Sequence, residues 1–322
     1  MANDRIFWAC KAVAVDGAFL NGVQSVGVSS SIDRVFQSDE GRHYQKFIYE
    51  TKDKTHTINI SRVLSSGDSL FHPCASHVIA DIGYDKGTFA TKDIAIVYGQ
   101  DDTSNIGNSG SYTTVTYYKC RITSISYSMT AQGSLTEEIT LESRIAKYGT
   151  SGASGLPTSP QSATTLRRKY IDILSSTLPS EVTTAFTNGL EVDSQTVYGI
   201  QEINIQLTFT YTNIVNYGSP WSGYDADENV NDYFFLQMPV GISCSFTGLK
   251  RDNFATFDIG KDSPASELAD NKSIAIVTSD FTFNLGAKNY LSDFSESGAD
   301  AGGSNASITL TYENKNNDFT TS

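Results

Sequence analysis

The chain has 322 residues, 39% apolar and 18% charged, and 36 Asp and Glu outweigh 23 Lys and Arg for a net charge of −13. These proportions exclude a membrane-embedded or a disordered chain. The charge argues against a protein that grips nucleic acid, because that affinity comes from Lys and Arg neutralising phosphates.

The length suits two domains. The N-terminus lacks a long apolar region and a cleavage site, which predicts no secretory signal and folding in a cytoplasm. Arg5 to Val15 is an apolar, β-branched and aromatic run, and Asp16-Gly17 supplies a turn. Gly22 to Ile32 alternates, with Val26, Val28 and Ile32 on one side and Ser25, Ser29 and Ser31 on the other. A period of two predicts a strand with one wet face. Phe47-Ile48-Tyr49 and Thr57 to Val63 follow as strands. Ser66 to Cys74 loses the alternation and predicts a short helix. Thr91 to Tyr98 is a buried strand, and Gln100 to Ser111 a polar loop.

Thr113 to Met129 sets Ile125, Tyr127 and Met129 against Ser124, Ser126 and Ser128. Leu135 to Ile145 returns with Ile139 and Leu141 opposed by Glu138, Thr140 and Glu142. Antiparallel sheets with one face to water read this way. Residues 151–163, rich in Gly, Ser and Pro, are the linker candidate. Thr165 to Leu178 fits a helix or a strand. Gln201 to Tyr211 alternates again, Ser219 to Asp232 is an acidic and aromatic loop, and Tyr233 to Gln237 and Gly241 to Phe246 are strands. Ser263 to Asp270 predicts a second short helix with Pro264 at its first position. Ile274 to Leu285 and Ser307 to Glu313 form a long pair, Gly286 to Ala306 is the loop between them, and Asn314 to Ser322 is a loose tail.

Lys92-Asp93-Ile94-Ala95-Ile96-Val97 recurs as Lys272-Ser273-Ile274-Ala275-Ile276-Val277. Gly22-Val23-Gln24 matches Gly199-Ile200-Gln201; Val26, Val28 and Ile32 match Ile203, Ile205 and Phe209. Ile58 and Ile60 match Ile242 and Cys244, and Ile139-Thr140-Leu141 matches Ile308-Thr309-Leu310. The order is the same in both halves, so an internal duplication is expected. Its place in the second half favours a strand at Thr165 to Leu178, with Arg168-Lys169-Tyr170 where Arg5-Ile6-Phe7 stands. The expected domains are 1–150 and 164–322, joined by the linker 151–163.

No motif for catalysis stands out. His72, Cys74 and His77 lack a fourth zinc ligand and read as a polar segment with an incidental thiol. Asp225, Asp227, Asn229 and Asp232 resemble a calcium loop, but Val230 and Leu236 occupy the positions that need Gly and Glu. A solvated acidic loop is the reading there, with a weak cation site from backbone oxygens left open. Cys10, Cys74, Cys120 and Cys244 show no paired spacing and read as buried free thiols. The expectation is no catalytic, cofactor-binding or metal residue and no cofactor. An enzymatic alternative would rest on Asp225 or Asp227 near Trp221 and Tyr224.

Three stretches resemble the tail tube, or inner tail structural, proteins of tailed bacteriophages. They are Asn3 to Val13 with Gly22 to Gly27, Leu166 to Tyr170 running into Ser176 to Glu181, and the serine-rich strand before Gly133 with Glu138 to Leu141. The resemblance implies a mainly β fold: two tandem, related antiparallel β-sandwich or barrel-like tail-tube domains, each with a short flanking helix. It implies a homo-oligomer of stacked rings, in which a doubled domain lets three chains build a pseudo-sixfold ring. Sheets would join edge to edge around a lumen, and DNA would pass without specific binding. Tail sheath, tape-measure, baseplate and terminator proteins are the implied partners, with no membrane. The implied location is the virion tail, after assembly in the host cytoplasm. The alternative is a terminator, baseplate or capsid-decoration module.

Overall fold

The computed structural model describes residues 8–32, 34–38, 45–50, 54–64, 70–71, 91–100, 112–130, 134–149, 190–192, 195–196, 200–214, 233–237, 240–249, 272–277, 281–298, 306–314 and 320–321. The first strands are β1 (Trp8–Val15), β2 (Ala18–Phe19), β3 (Val23–Ser31), β4 (Arg34–Ser38), β5 (Gln45–Glu50), β6 (Thr55–Val63), β7 (Lys92–Gln100), β8 (Tyr112–Thr130), β9 (Thr136–Ser143) and β10 (Ile145–Gly149). Then come β11 (Leu190–Val192), β12 (Gln195–Thr196), β13 (Ile200–Thr208), β14 (Tyr211–Ile214), β15 (Tyr233–Leu236), β16 (Gly241–Leu249), β17 (Lys272–Val277), β18 (Thr282–Ser297), β19 (Ser307–Asn314) and β20 (Thr320–Thr321). The protein is mainly β, in open antiparallel sheets, so the barrel-like closure in the expected fold class is corrected.

The chain divides into two compact units, and the division does not follow the sequence halves. Met1–Ser61, Ala90–Thr123 and Ile139–Arg167 form unit 1; Arg62–Phe89, Ser124–Glu138 and Arg168–Ser322 form unit 2. Strands β6, β8 and β9 therefore contribute one stretch to each.

In unit 1, β1 turns into β2 through Asp16 and Gly17, with φ of 50° and 81°. Two consecutive positive φ values make the turn whose twist matches a hairpin, and Asp-Gly supplies them cheaply. The Asp16 carboxylate accepts from Lys92 Nζ at 2.7 Å and from the Asp93 backbone N–H at 2.8 Å, tying the turn to β7. Asp93 in turn accepts from the Lys119 backbone N–H at 2.9 Å. Lys119 has φ of 50°, where β8 bulges against β7 between Lys92 and Ile94. The buried face carries Val13, Ile58, Ile60, Ile94, Ile96 and Leu141. His56 of β6 meets Tyr117 edge-on at 5.3 Å across that core.

In unit 2, β13 lies between β16 and the Ser124–Thr130 stretch of β8, and β19 joins β16 to β18. Strand β18 also pairs with β17 at its beginning, where Gly286 has φ of 71° and the register shifts beside Ile274. A bulge adds a residue to one strand and bends it, which lets β18 serve two pairings along its length. Phe246 stacks on Tyr312 at 5.7 Å, and Tyr127 meets Phe283 at 4.9 Å. Such aromatic pairs add about 0.5–1.5 kcal/mol each beyond their burial.

Three expectations are corrected. Ile274 to Leu285 is not one strand but parts of β17 and β18. Gly286 to Ser297 belongs to strand β18 rather than to a loop. Residues 292–298 are exposed on both faces, so they carry no apolar alternation to read. The tail is held near its end, where Thr320 and Thr321 pair with Asn284 and Phe283.

No helix occurs among the described residues. Both helices, expected at Ser66 to Cys74 and Ser263 to Asp270, fall outside them, save Leu70 and Phe71. The linker at 151–163 and Thr165 to Leu178 also lie outside them. No helix among the described residues is long and apolar enough to cross a membrane.

Candidate functional site

The candidate site is a sheet face, and strict alternation creates it. Residues with apolar side chains turn inward along each strand, so their neighbours are forced outward. In unit 2 the register aligns these outward positions across strands. Ser124, Ser126, Ser128 and Thr130 of β8 stand opposite Thr208, Gln206, Asn204 and Glu202 of β13. Those continue to Ser243, Ser245 and Thr247 of β16 and then to Glu313, Thr311 and Thr309 of β19. Asp293, Ser295 and Ser297 of β18 extend the row. In unit 1, the paired strands β3, β6 and β9 carry Ser29, Ser31, Thr57, Asn59, Thr140 and Glu142 at positions that are not buried.

These outward positions hold hydroxyls, amides and carboxylates, and none named here is Lys or Arg. Their hydrogen bonds run along the wall. Thr247 and Thr309 share a hydroxyl contact of 2.9 Å, Asn204 Nδ2 donates to Glu202 Oε1 at 2.9 Å, and Thr140 Oγ1 donates to Asn59 Oδ1 at 3.0 Å. Thr136 Oγ1 donates to the Ser128 carbonyl at 3.3 Å and Ser292 Oγ to the Thr311 carbonyl at 3.2 Å. A hydroxyl whose proton points into the wall turns lone pairs outward. The surface is therefore acceptor-rich, and among its described positions there is no Lys or Arg to neutralise a phosphate.

Behind the wall lies a buried ion pair. Arg62 Nε donates to Glu137 Oε1 at 3.0 Å and Arg62 Nη2 to Glu137 Oε2 at 3.1 Å. The two side chains are 3% and 0% exposed. Glu137 also accepts from the Phe71 backbone N–H at 3.1 Å. The alternation hid this pair, since both residues sit at positions where apolar side chains are expected.

The candidates for chemistry gain no support as a site. His72, Cys74 and His77 and the loop with Asp225, Asp227, Asn229 and Asp232 lie outside the described residues, as do Trp221 and Tyr224. Among the described residues no group of three His, Cys, Asp or Glu side chains could hold a metal. Cys120 and Cys244 are buried free thiols, pushed up to about 12 chiefly by burial. Cys10 is exposed, contrary to the expectation of burial, because it lies at a register shift in the β1–β7 pairing. Cys74 is not among the described residues.

No protein-family model and no curated protein matches the chain. Among solved structures, the sheath/tube terminator of an extracellular contractile injection system, PVC, in its extended state is similar over 46% of this chain and 96% of its own. The identity is 18% and the TM-score 0.32, too slight a likeness to carry a functional argument.

Proposed function

We propose that this chain is a structural subunit of a phage-type tail tube, built as a doubled sheet unit that assembles into stacked rings. Three chains make a pseudo-sixfold ring, and DNA passes along a bore lined by the hydroxyl and carboxylate face. The chain acts by assembly rather than catalysis and uses no cofactor. Tail sheath, tape-measure, baseplate and terminator proteins are its partners, in a virion tail assembled in the host cytoplasm.

The observation that carries the reading is the face, continuous across β8, β13, β16, β19 and β18, whose described positions carry no Lys or Arg. A wall of this kind repels or ignores phosphates, so a duplex slides without being held. The doubling draws support from the strand pairings. Within β1–β10, β1 pairs with β2 and β7, β8 with β7, β9 and β10, β6 with β3 and β9, and β4 with β5. Within β11–β20, β11 pairs with β12 and β17, β18 with β17, β19 and β20, β16 with β13 and β19, and β14 with β15. Each pairing of the first run has its counterpart ten strands later. The bulge of β8 at Lys119 and that of β18 at Gly286 face the same repeated hexapeptide.

These pairings adjust the sequence correspondence. Leu190–Val192 takes the place of Val13–Val15, since Val192 faces Ile274 as Val15 faces Ile94.

Electron microscopy of the purified chain tests the reading. Stacked rings or uniform hollow filaments with sixfold-looking end views are expected. Persistent monomers would sink it, and closed single rings that never stack would reassign the chain to a terminator.

A further inference from the structure

We infer that the last stretch of β18, Asp293–Ser297, pairs antiparallel with β3 of a second copy of this chain, in the register that β8 and β13 already use inside one copy. The inference rests on the ring assembly proposed above and names its junction.

The template is internal. Strand β8 offers Ser124–Thr130 to Glu202–Thr208 of β13, with Ile125 opposite Leu207, Ser126 opposite Gln206 and Tyr127 opposite Ile205. In the doubled arrangement β18 corresponds to β8 and β3 to β13. Lys92 faces Cys120 and Lys272 faces Asn289, which aligns Cys120 with Asn289; β18 shifts register between Leu291 and Asp293, and setting its hydroxyl-face residues Asp293 and Ser295 at Ser124 and Ser126 puts Phe294 at Ile125. Gly22-Val23-Gln24 against Gly199-Ile200-Gln201 aligns Ser30 with Leu207 and Ile32 with Phe209. The burial patterns of β3 and β13 agree with that alignment, since Val23, Val26 and Val28 are the more covered positions of β3 and Ile200, Ile203 and Ile205 are buried in β13.

Both edges are incomplete where their counterparts are complete. Among the described residues, β3 pairs only with β6, and the end of β18 pairs only with β19. Phe294 is 38% exposed where Ile125 is fully buried, and Ile32 is 36% exposed where Phe209 is 4% exposed. Val26 and Val28 are half-buried where Ile203 and Ile205 are buried. Open edges with apolar residues beside them are templates for further pairing. Transferring the register puts Asp293 opposite Ser31, Phe294 opposite Ser30, Ser295 opposite Ser29 and Glu296 opposite Val28. Phe294 and Ile32 then lie diagonal to each other, within reach of an aromatic side chain. The same junction continues the hydroxyl face from one copy to the next, through Ser295 and Ser29. Its two sides differ, so it is head-to-tail, the kind of contact that builds a ring when its rotation closes.

The experiment uses the full chain in a Cys10→Ser background, with Ser29→Cys and Ser295→Cys introduced together. Under mild oxidation, assembled protein is expected to give reducible covalent multimers up to the ring's copy number. The pair Ser25→Cys and Ser295→Cys, displaced by four residues, is expected to give none. Phe294→Lys, at an exposed position, should melt like the parent yet lose assembly. Rings that assemble normally but cross-link no better in register than out of it would overturn the junction and leave the ring reading standing. Rings formed undiminished by Phe294→Lys would also overturn it. A chain that neither assembles nor cross-links would remove both.

Discussion

Arg62 and Glu137 replace apolar side chains at two inward positions, and their charges are satisfied by each other and by the Phe71 backbone N–H. Removing one partner takes the counter-charge from a buried ionised group, at a cost of about 3–5 kcal/mol. Glu137→Gln is therefore expected to lower the free energy of unfolding by that order, read from denaturant titration. Arg62→Leu with Glu137→Leu together should cost less than either change alone. His56 presents the opposite problem. Burial first, then the charge of Lys54, lowers its pKa below the ordinary 6.5. Below 6.5 the unfolded chain takes up a proton that folded His56 resists. Its contribution is thus intact above that pH and is lost as pH falls through the lowered folded value. Melting measured between about pH 7 and pH 5 should show a decline that His56→Gln makes shallower. An unchanged slope would remove His56 as its source.

At the scale of the element, β8 and β18 each bulge against the hexapeptide strand with a residue at positive φ, at different places in the register. Gly286 takes φ of 71° freely, whereas Lys119 is forced to 50°. A side chain in this region costs about 1–2 kcal/mol. Lys119→Gly keeps the backbone N–H that bonds Asp93 and relieves the strain, against the greater entropy of Gly in the unfolded chain. The net expectation is a melting temperature unchanged or slightly raised, while Gly286→Val should lower it clearly. A large loss in Lys119→Gly would show that the lysine side chain, rather than the bulge, matters there. Strands such as β6, β13 and β16 were readable because one face is buried, and that imposes a period of two. The end of β18 was not, since an unburied strand is chosen by its hydrogen-bond partners and leaves no such trace.

For the whole molecule, the proposed bore depends on the absence of cations from its wall. Gln206→Lys, Ser243→Lys and Thr311→Lys place ammonium groups on that face. Assembled particles of this variant should retain duplex DNA at about 50 mM salt and release it steeply as salt rises, while the parent retains none. Equal retention by both would detach the face from the proposed role. A salt-independent difference would point away from phosphate contact.

The sequence alone determined the β class, the strand faces and the hydroxyl and carboxylate residues opposite the apolar ones, because alternation and residue type are local properties. It also carried matching short motifs in the same order in both halves. It did not determine which residues stand opposite one another, since a slip of two keeps every side chain on its face and leaves the pattern unchanged. The Arg62–Glu137 pair, the bulges and the β8–β13 junction were decided only in three dimensions, where backbone groups distant in sequence satisfy one another's hydrogen bonds.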